Sequence, residues 1–335
     1  MKKLLSRILR PAAQPGAMPT RSMSLVELAW RSEATMPIAD WRDAWERVDA
    51  IHEEAAVEQF FWNAAFTWLD ALRGHLGNTR YRIDQTASFL VLSSLENRKL
   101  QLALEFCERS RRRILRMLAD VAQDKGYGPH VVLIFDSIDE YYDYVSNYHA
   151  KGGTYSMSSG MFIQRGYGHF VFVASDMYAM EPIIAHELTH CLLASLPIPA
   201  WLNEGTAVNV EKQLVPENLD PRRGIFEHRE ARKKRSMFWT EETIQEYWSG
   251  KSFRRPDEGC SLSYELAEQM TRLIARNNGE YRAYMNSAQR DDAGAAAATE
   301  LLGYTLEELA TAVLGPGRWA PAPEKWHAGT EAGQF

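Results

Sequence analysis

Cysteine is scarce in this 335-residue chain, which has three, Cys107, Cys191 and Cys260, an odd and widely spaced set. Secreted small domains pair their cysteines into a framework, so this set excludes that class and leaves a reducing, cytoplasmic compartment as the expectation. Long apolar runs are missing as well. No stretch approaches the roughly 18 to 20 apolar residues needed to cross a bilayer, so no transmembrane segment is expected. The amino terminus opens with Lys2 and Lys3 like a signal peptide, but Arg7, Arg10 and Pro11 interrupt it before an apolar core forms. Positive charge is not in excess either: 38 Lys and Arg against 44 Asp and Glu give a net charge of -6, which supplies no general attraction to nucleic acid or anionic lipid. No internal repeat is present.

What remains is ordinary globular composition, 45% hydrophobic and 24% charged, enough to bury a large core. Pro11, Pro15 and Pro19 among small residues mark 1–22 as a flexible arm. In the region 23–84, Trp41, Trp45 and Val48, then Phe60, Phe61, Ala64, Ala65, Trp68, Leu69 and Leu72 recur at helical spacing from Leu25 to Leu76. Within 85–200, three short apolar runs suit buried strands: Ala87 to Leu92, His130 to Phe135 and His169 to Ala174. Helical patterns separate them over Leu100 to Val121, with an arginine-rich outer face, and Ile138 to Tyr148. The last run is either an inner strand or an edge offered to an extended substrate. Beyond it, 201–315 reads as helical: Glu241 to Trp248, Tyr264 to Arg276, Glu280 to Ala288, and Leu306 to Leu314 with Thr305 and Glu308 placed as a capping box. The stretch 316–335 reads as a loose tail. The fold class expected is α+β, mainly helical with a small mixed sheet.

The chemistry concentrates in His186-Glu187-Leu188-Thr189-His190 and, after Pro197 and Pro199, Trp201-Leu202-Asn203-Glu204-Gly205. Residues four apart on a helix share a face, with Cβ atoms about 5 to 6 Å apart, so His186 and His190 can point at one ion. Glu187 falls one residue round, where it can reach a bound water without being a ligand. Pro182 suits the first turn of this helix. Cys191 projects about 100° away from His190 and reads as a core residue. A hydrolytic site takes three protein ligands, and the third is Glu204 or Glu211, which lie about 10 Å apart and cannot share one ion.

Trp201-Leu202-Asn203-Glu204-Gly205-Thr206-Ala207 resembles the Trp-Leu-Asn-Glu-Gly-x-Ala signature of the gluzincin superfamily of zinc metallopeptidases, notably its aminopeptidase N-like branch and its compact peptidase MA-like members. The resemblance, strongest over about 130–310, implies a zincin-like fold with the sheet packed on the motif helix. It implies one zinc ion held by His186, His190 and Glu204, in preference to Glu211. Glu187 is then the general base, and the substrate is a peptide or protein. Ser263-Tyr264-Glu265-Leu266-Ala267 is similar to the segment whose tyrosine faces the scissile carbonyl, which makes Tyr264 the candidate oxyanion donor. His228 is the alternative, by analogy with thermolysin-like enzymes. The Gly-x-Met-Glu-Asn segment that anchors a substrate amine in aminopeptidases is missing, Gly152-Gly153-Thr154-Tyr155-Ser156-Met157-Ser158 standing in its region, so an endopeptidase is favoured. The rival is a zinc-binding interaction protein of gluzincin-like fold without turnover, against which the intact Glu187 stands.

Overall fold

The computed structural model describes residues 21–49, 51–124, 126–148, 160–216 and 237–326. Helices α1 (Trp41–Val48) and α2 (Glu54–Leu76) lead into strands β1 (Arg82–Gln85) and β2 (Phe89–Ser93). α3 (Asn97–Met117) returns to β3 (His130–Phe135), α4 (Ile138–Ser146) precedes β4 (Gly160–Ile163), and β5 (His169–Val173) feeds α5 (Met177–Leu193). α6 (Ala200–Leu214), α7 (Thr243–Trp248), α8 (Glu258–Ile274), α9 (Asn278–Ser287) and α10 (Leu306–Leu314) follow. A mainly helical chain carrying one small mixed sheet is what the α+β reading expects.

The sheet has five strands in the order β1-β2-β3-β5-β4, parallel through β2, β3 and β5 and antiparallel at both edges. Side chains alternate across a strand, and here both faces are covered, which is why the inner strands read as continuous apolar runs. Leu90, Leu92, Val131, Leu133, Phe135 and Val171 pack against the core of α1, α2 and α4. Phe89, Val91, Val132, Ile134, Phe170 and Phe172 face α3 and α5 on the other side. The amino-terminal helices are thus one cover of the sheet that positions the motif helix, with Phe61, Trp62 and Trp68 fully buried.

Several sequence expectations are corrected. Leu25 to Asp40 is not helical; an isolated bridge, Trp30 to Ala39, and hydrogen bonds to Thr67 and Asn147 order it before Asp40 caps α1. β1 overlaps the end of the 23–84 region, past the helical spacing that stops at Leu76, and its residues are all half-buried, leaving no alternation to read. β5 is an inner strand, and among the described residues the edges are β1 and β4. Pro182 is inside α5, whose first turn starts five residues earlier under an Asp176 cap that accepts from the Ala179 N–H. α8 starts at Glu258, capped by Asp257, so Tyr264 lies well inside the helix. The segment after Gly315 is packed as far as it is described: Trp319 is buried, the Trp248 indole donates to its carbonyl at 2.8 Å, and the Trp326 indole donates to Gln245 at 3.1 Å. Two indoles outweigh the loop-like composition around them. The capping box at α10 forms through Thr305 and Glu308 as expected. The expected arm lies outside the described residues apart from Arg21 and Ser22, and the 149–159 and 217–236 stretches, with His228, lie outside them too.

The arginine-rich face of α3 is occupied within the chain. Arg111 pairs with Asp124, Arg112 lies 3.7 Å from Glu108, Arg113 donates to the Gln213 carbonyl, and Arg109 stacks on Phe106.

Candidate metal centre

α5 buries Ile184, Ala185, Leu188, Leu192 and Leu193 in the core and leaves His186, Glu187 and His190 half-buried on another side. α6 packs against it, and each residue of its first turns has a task. Trp201 is fully buried and its indole donates to the Ala293 carbonyl at 3.0 Å, anchoring the helix start. Leu202 fills the same core. Gly205 lets α8 approach: a Cβ there would lie 2.3 Å from the Ala267 carbonyl oxygen. Lys212 and Glu268, 2.9 Å apart, and the Asn209 amide donating to the Glu268 carbonyl at 3.0 Å tie the two helices further along.

This packing brings Glu204 against the two histidines. Its Oε2 lies 3.3 Å from His186 Nε2 and 3.3 Å from His190 Nε2, and one ligand atom from each residue falls within 4.8 Å of the others. Such a group could hold a metal ion. The second nitrogen of each ring is occupied: His186 Nδ1 meets Glu211 Oε2 at 3.1 Å, and His190 Nδ1 meets Asn203 Oδ1 at 3.1 Å. An acceptor at Nδ1 places the proton there and frees Nε2 as a lone-pair donor, the outer support metal-bound histidines use. The three side chains are 13 to 18% exposed, so the cluster is shielded yet open to water.

The three groups shift one another's proton affinity. Burial pulls His186 down, but hydrogen bonds to Glu204 and Glu211 and the charge of Glu187 outweigh it and lift the imidazole to about 10. His190 is raised against the same burial, by the charge of Glu204. Burial pushes Glu204 up, yet the charge of His190 and the hydrogen bonds from both rings hold it far below the usual carboxylate range.

Glu187 projects toward the sheet edge, where its Oε2 accepts from the Phe162 N–H of β4 at 2.7 Å. Because that N–H bonds to Glu187, it points away from β5, so the outward edge of β4 borders the centre. The Tyr264 ring stands 6.2 Å from that of His186. The charge of Glu204 and then burial raise its phenol well above 10, which keeps it an O–H donor at any working pH. Cys191 is turned elsewhere, its thiol 3.5 Å from His130 Nδ1. Sequence reasoning placed Glu211 only as a rival ligand and missed Asn203 and the Phe162 backbone. The seven-residue spacing from Glu204 that made Glu211 a rival also sets it on the same helix face, within reach of the far side of His186. No family model matches the chain, and the search of curated proteins found no match.

Proposed function

We propose that this protein is a zinc-dependent peptidase of gluzincin type, with a zincin-like catalytic unit built from the sheet, α5, α6 and α8. The observation that carries this reading is the convergence of two Nε2 atoms on one carboxylate oxygen at 3.3 Å each. Tetrahedral zinc with bonds of about 2.0 to 2.1 Å needs its ligand atoms about 3.3 Å apart. Two imidazoles and a carboxylate are also a hydrolytic rather than a structural donor set, since they leave the fourth position for water. Bound there, zinc would supply Lewis acidity and a water whose pKa falls to about 7.

The chain's own residues do the rest. Glu187 takes the proton of the attacking water at its carboxylate and hands it to the nitrogen of the leaving amine. The Tyr264 hydroxyl donates to the oxygen that becomes negative as the carbonyl is attacked. Glu211 and Asn203 hold the two rings in register. A peptide is the substrate class that goes with this donor set and the resemblance, cleaved internally because the Gly-x-Met-Glu-Asn segment is missing from the sequence.

The test is Glu187→Gln. Peptide hydrolysis should fall by about 10² to 10⁴-fold with zinc retained at one equivalent by atomic absorption, whereas Glu204→Ala should lose the metal. Undiminished turnover in Glu187→Gln would remove the mechanism, and zinc bound without turnover in the wild type would favour the interaction protein.

A further inference from the structure

The turn between β4 and β5, the link from α5 to α6 and the loop after α9 enclose a groove of about 840 Å³ that the proposed hydrolysis does not use. β4 runs in step with α5. Gly160 has no room for a side chain against Ile183, the Phe162 N–H donates to Glu187, and just past the strand the Gln164 amide donates to the Ala194 carbonyl at 3.2 Å. Gln164 and Ala194 both line the groove. Two residues of strand span about 7 Å and four residues of helix rise about 6 Å. The groove therefore begins that far along the strand from the N–H that holds Glu187, and that far along the helix from His190.

Both walls are anchored. Arg165 donates to the Tyr148 carbonyl at 2.5 Å and pins the turn on one side. On the other, Arg290 donates to the Ile198 carbonyl at 3.1 Å, and Asp292 accepts from the Gly294 and Ala296 N–H groups at 2.8 Å each. Ligand sites are concave and largely pre-formed, with volumes of about 300 to 1,000 Å³, and this groove meets that description. Its lining is hydrophilic: Gln164, Ser195 and Gln289 are exposed along it, and Arg165, Arg290 and Asp291 contribute charges of both signs. Amides, a hydroxyl and mixed charge suit a polar stretch of polypeptide better than an apolar side chain or a single strong charge.

We infer that this groove is a second binding site, taken by a hydrophilic stretch of the same polypeptide whose scissile bond lies at the centre. Continuity commits it to the substrate's own chain, because an extended peptide leaving the centre along β4 and α5 enters it within about two residues. Long, unfolded chains are then preferred to short peptides. This rests on the peptidase reading above, and the groove acts on selection, not on the chemical step.

Three end-blocked, quenched peptides test it: the core Ala-Ala-Phe-Leu-Ala-Ala, and that core extended by Ser-Asn-Gly-Ser-Asn-Gly either before or after it. With the zinc-loaded full chain, one extended peptide should exceed the core at least tenfold in kcat/KM, mainly through KM, and the arm that responds gives the direction of the bound chain. Ser195→Trp and Gln289→Trp fill the groove from opposite walls at exposed positions, and each should bring that ratio close to one. Equal use of all three peptides, or a length preference that survives both substitutions, overturns the inference. A readout without turnover keeps it distinct from the peptidase reading: calorimetric binding of the same three peptides to Glu187→Gln, with and without Ser195→Trp. If no peptide is ever cleaved yet an extended one binds tighter and Ser195→Trp abolishes the difference, the peptidase reading fails and the groove stands. Equal binding of core and extended peptides removes the groove, whether or not cleavage is seen.

Discussion

Each ligand in the centre is set by a neighbour outside it. Glu211 and Asn203 decide which nitrogen of His186 and His190 faces inward, and Glu204 draws protons onto both rings when no metal is present. This has a pH consequence whose sign follows directly. His186 in the metal-free fold stays protonated up to about 10, so below that pH an ion must displace its proton. Apparent zinc affinity should therefore rise with pH across pH 6 to 8, by roughly tenfold per unit for each proton displaced. Calorimetry in two buffers of different ionisation enthalpy measures the release directly. A proton count of zero at pH 7 would mean that the rings are not charged in the apo protein. That His186, His190 and Glu204 could converge was legible in the chain, because four-residue spacing sets the two histidines on one face and the residues around Glu204 carry the resemblance. Glu211's supporting role was not, because which side of an imidazole a carboxylate approaches depends on the crossing of two helices.

Among the elements, α6 bears most of the site's precision. Its Trp201 fixes the helix start, and its Gly205 fixes the distance to α8, from which Tyr264 projects. Gly205→Ala would press a methyl against the Ala267 carbonyl and Thr271, which is backbone on one side and cannot give way. Overpacking of this kind costs about 1 to 3 kcal/mol, and the shift of α6 moves Glu204, the adjacent residue. The variant should lose stability in urea denaturation and also bind zinc more weakly than wild type. A loss of stability with unchanged zinc affinity would show that the close approach supports the fold and not the centre. Helix boundaries with strong caps or dense apolar spacing were readable, α10 among them. Those of α5 and α8 were not: Pro182 reads as a first-turn residue although α5 begins at Met177 under Asp176, and the first turn of α8 under Asp257 carries few apolar residues.

For the molecule as a whole, a metal held between α5 and α6 would tie the sheet-packed helix to the carboxy-terminal helices. An ion that binds only the folded state adds about 4 kcal/mol at a thousandfold excess over its Kd. For a chain of this size, chelation should then lower the melting temperature on the order of 5 to 10 °C, an effect absent in Glu204→Ala. Identical melting of the wild type with and without chelator would exclude a bound ion that matters to the fold. Local pattern by itself determined the buried strands, the motif helix and the shared face of the two histidines, because periodicity and spacing act over a few residues, while the preference for Glu204 over Glu211 came from the resemblance around Trp201 to Ala207. Only tertiary structure decided that β4 lies at an edge of the sheet among the described residues, that the amino-terminal helices cover one face of it, that two tryptophans pack the described part of the tail, and that Glu211 and Asn203 meet the outer nitrogens of the two histidines. Each of those depends on contacts between residues far apart in the chain, which no local pattern encodes.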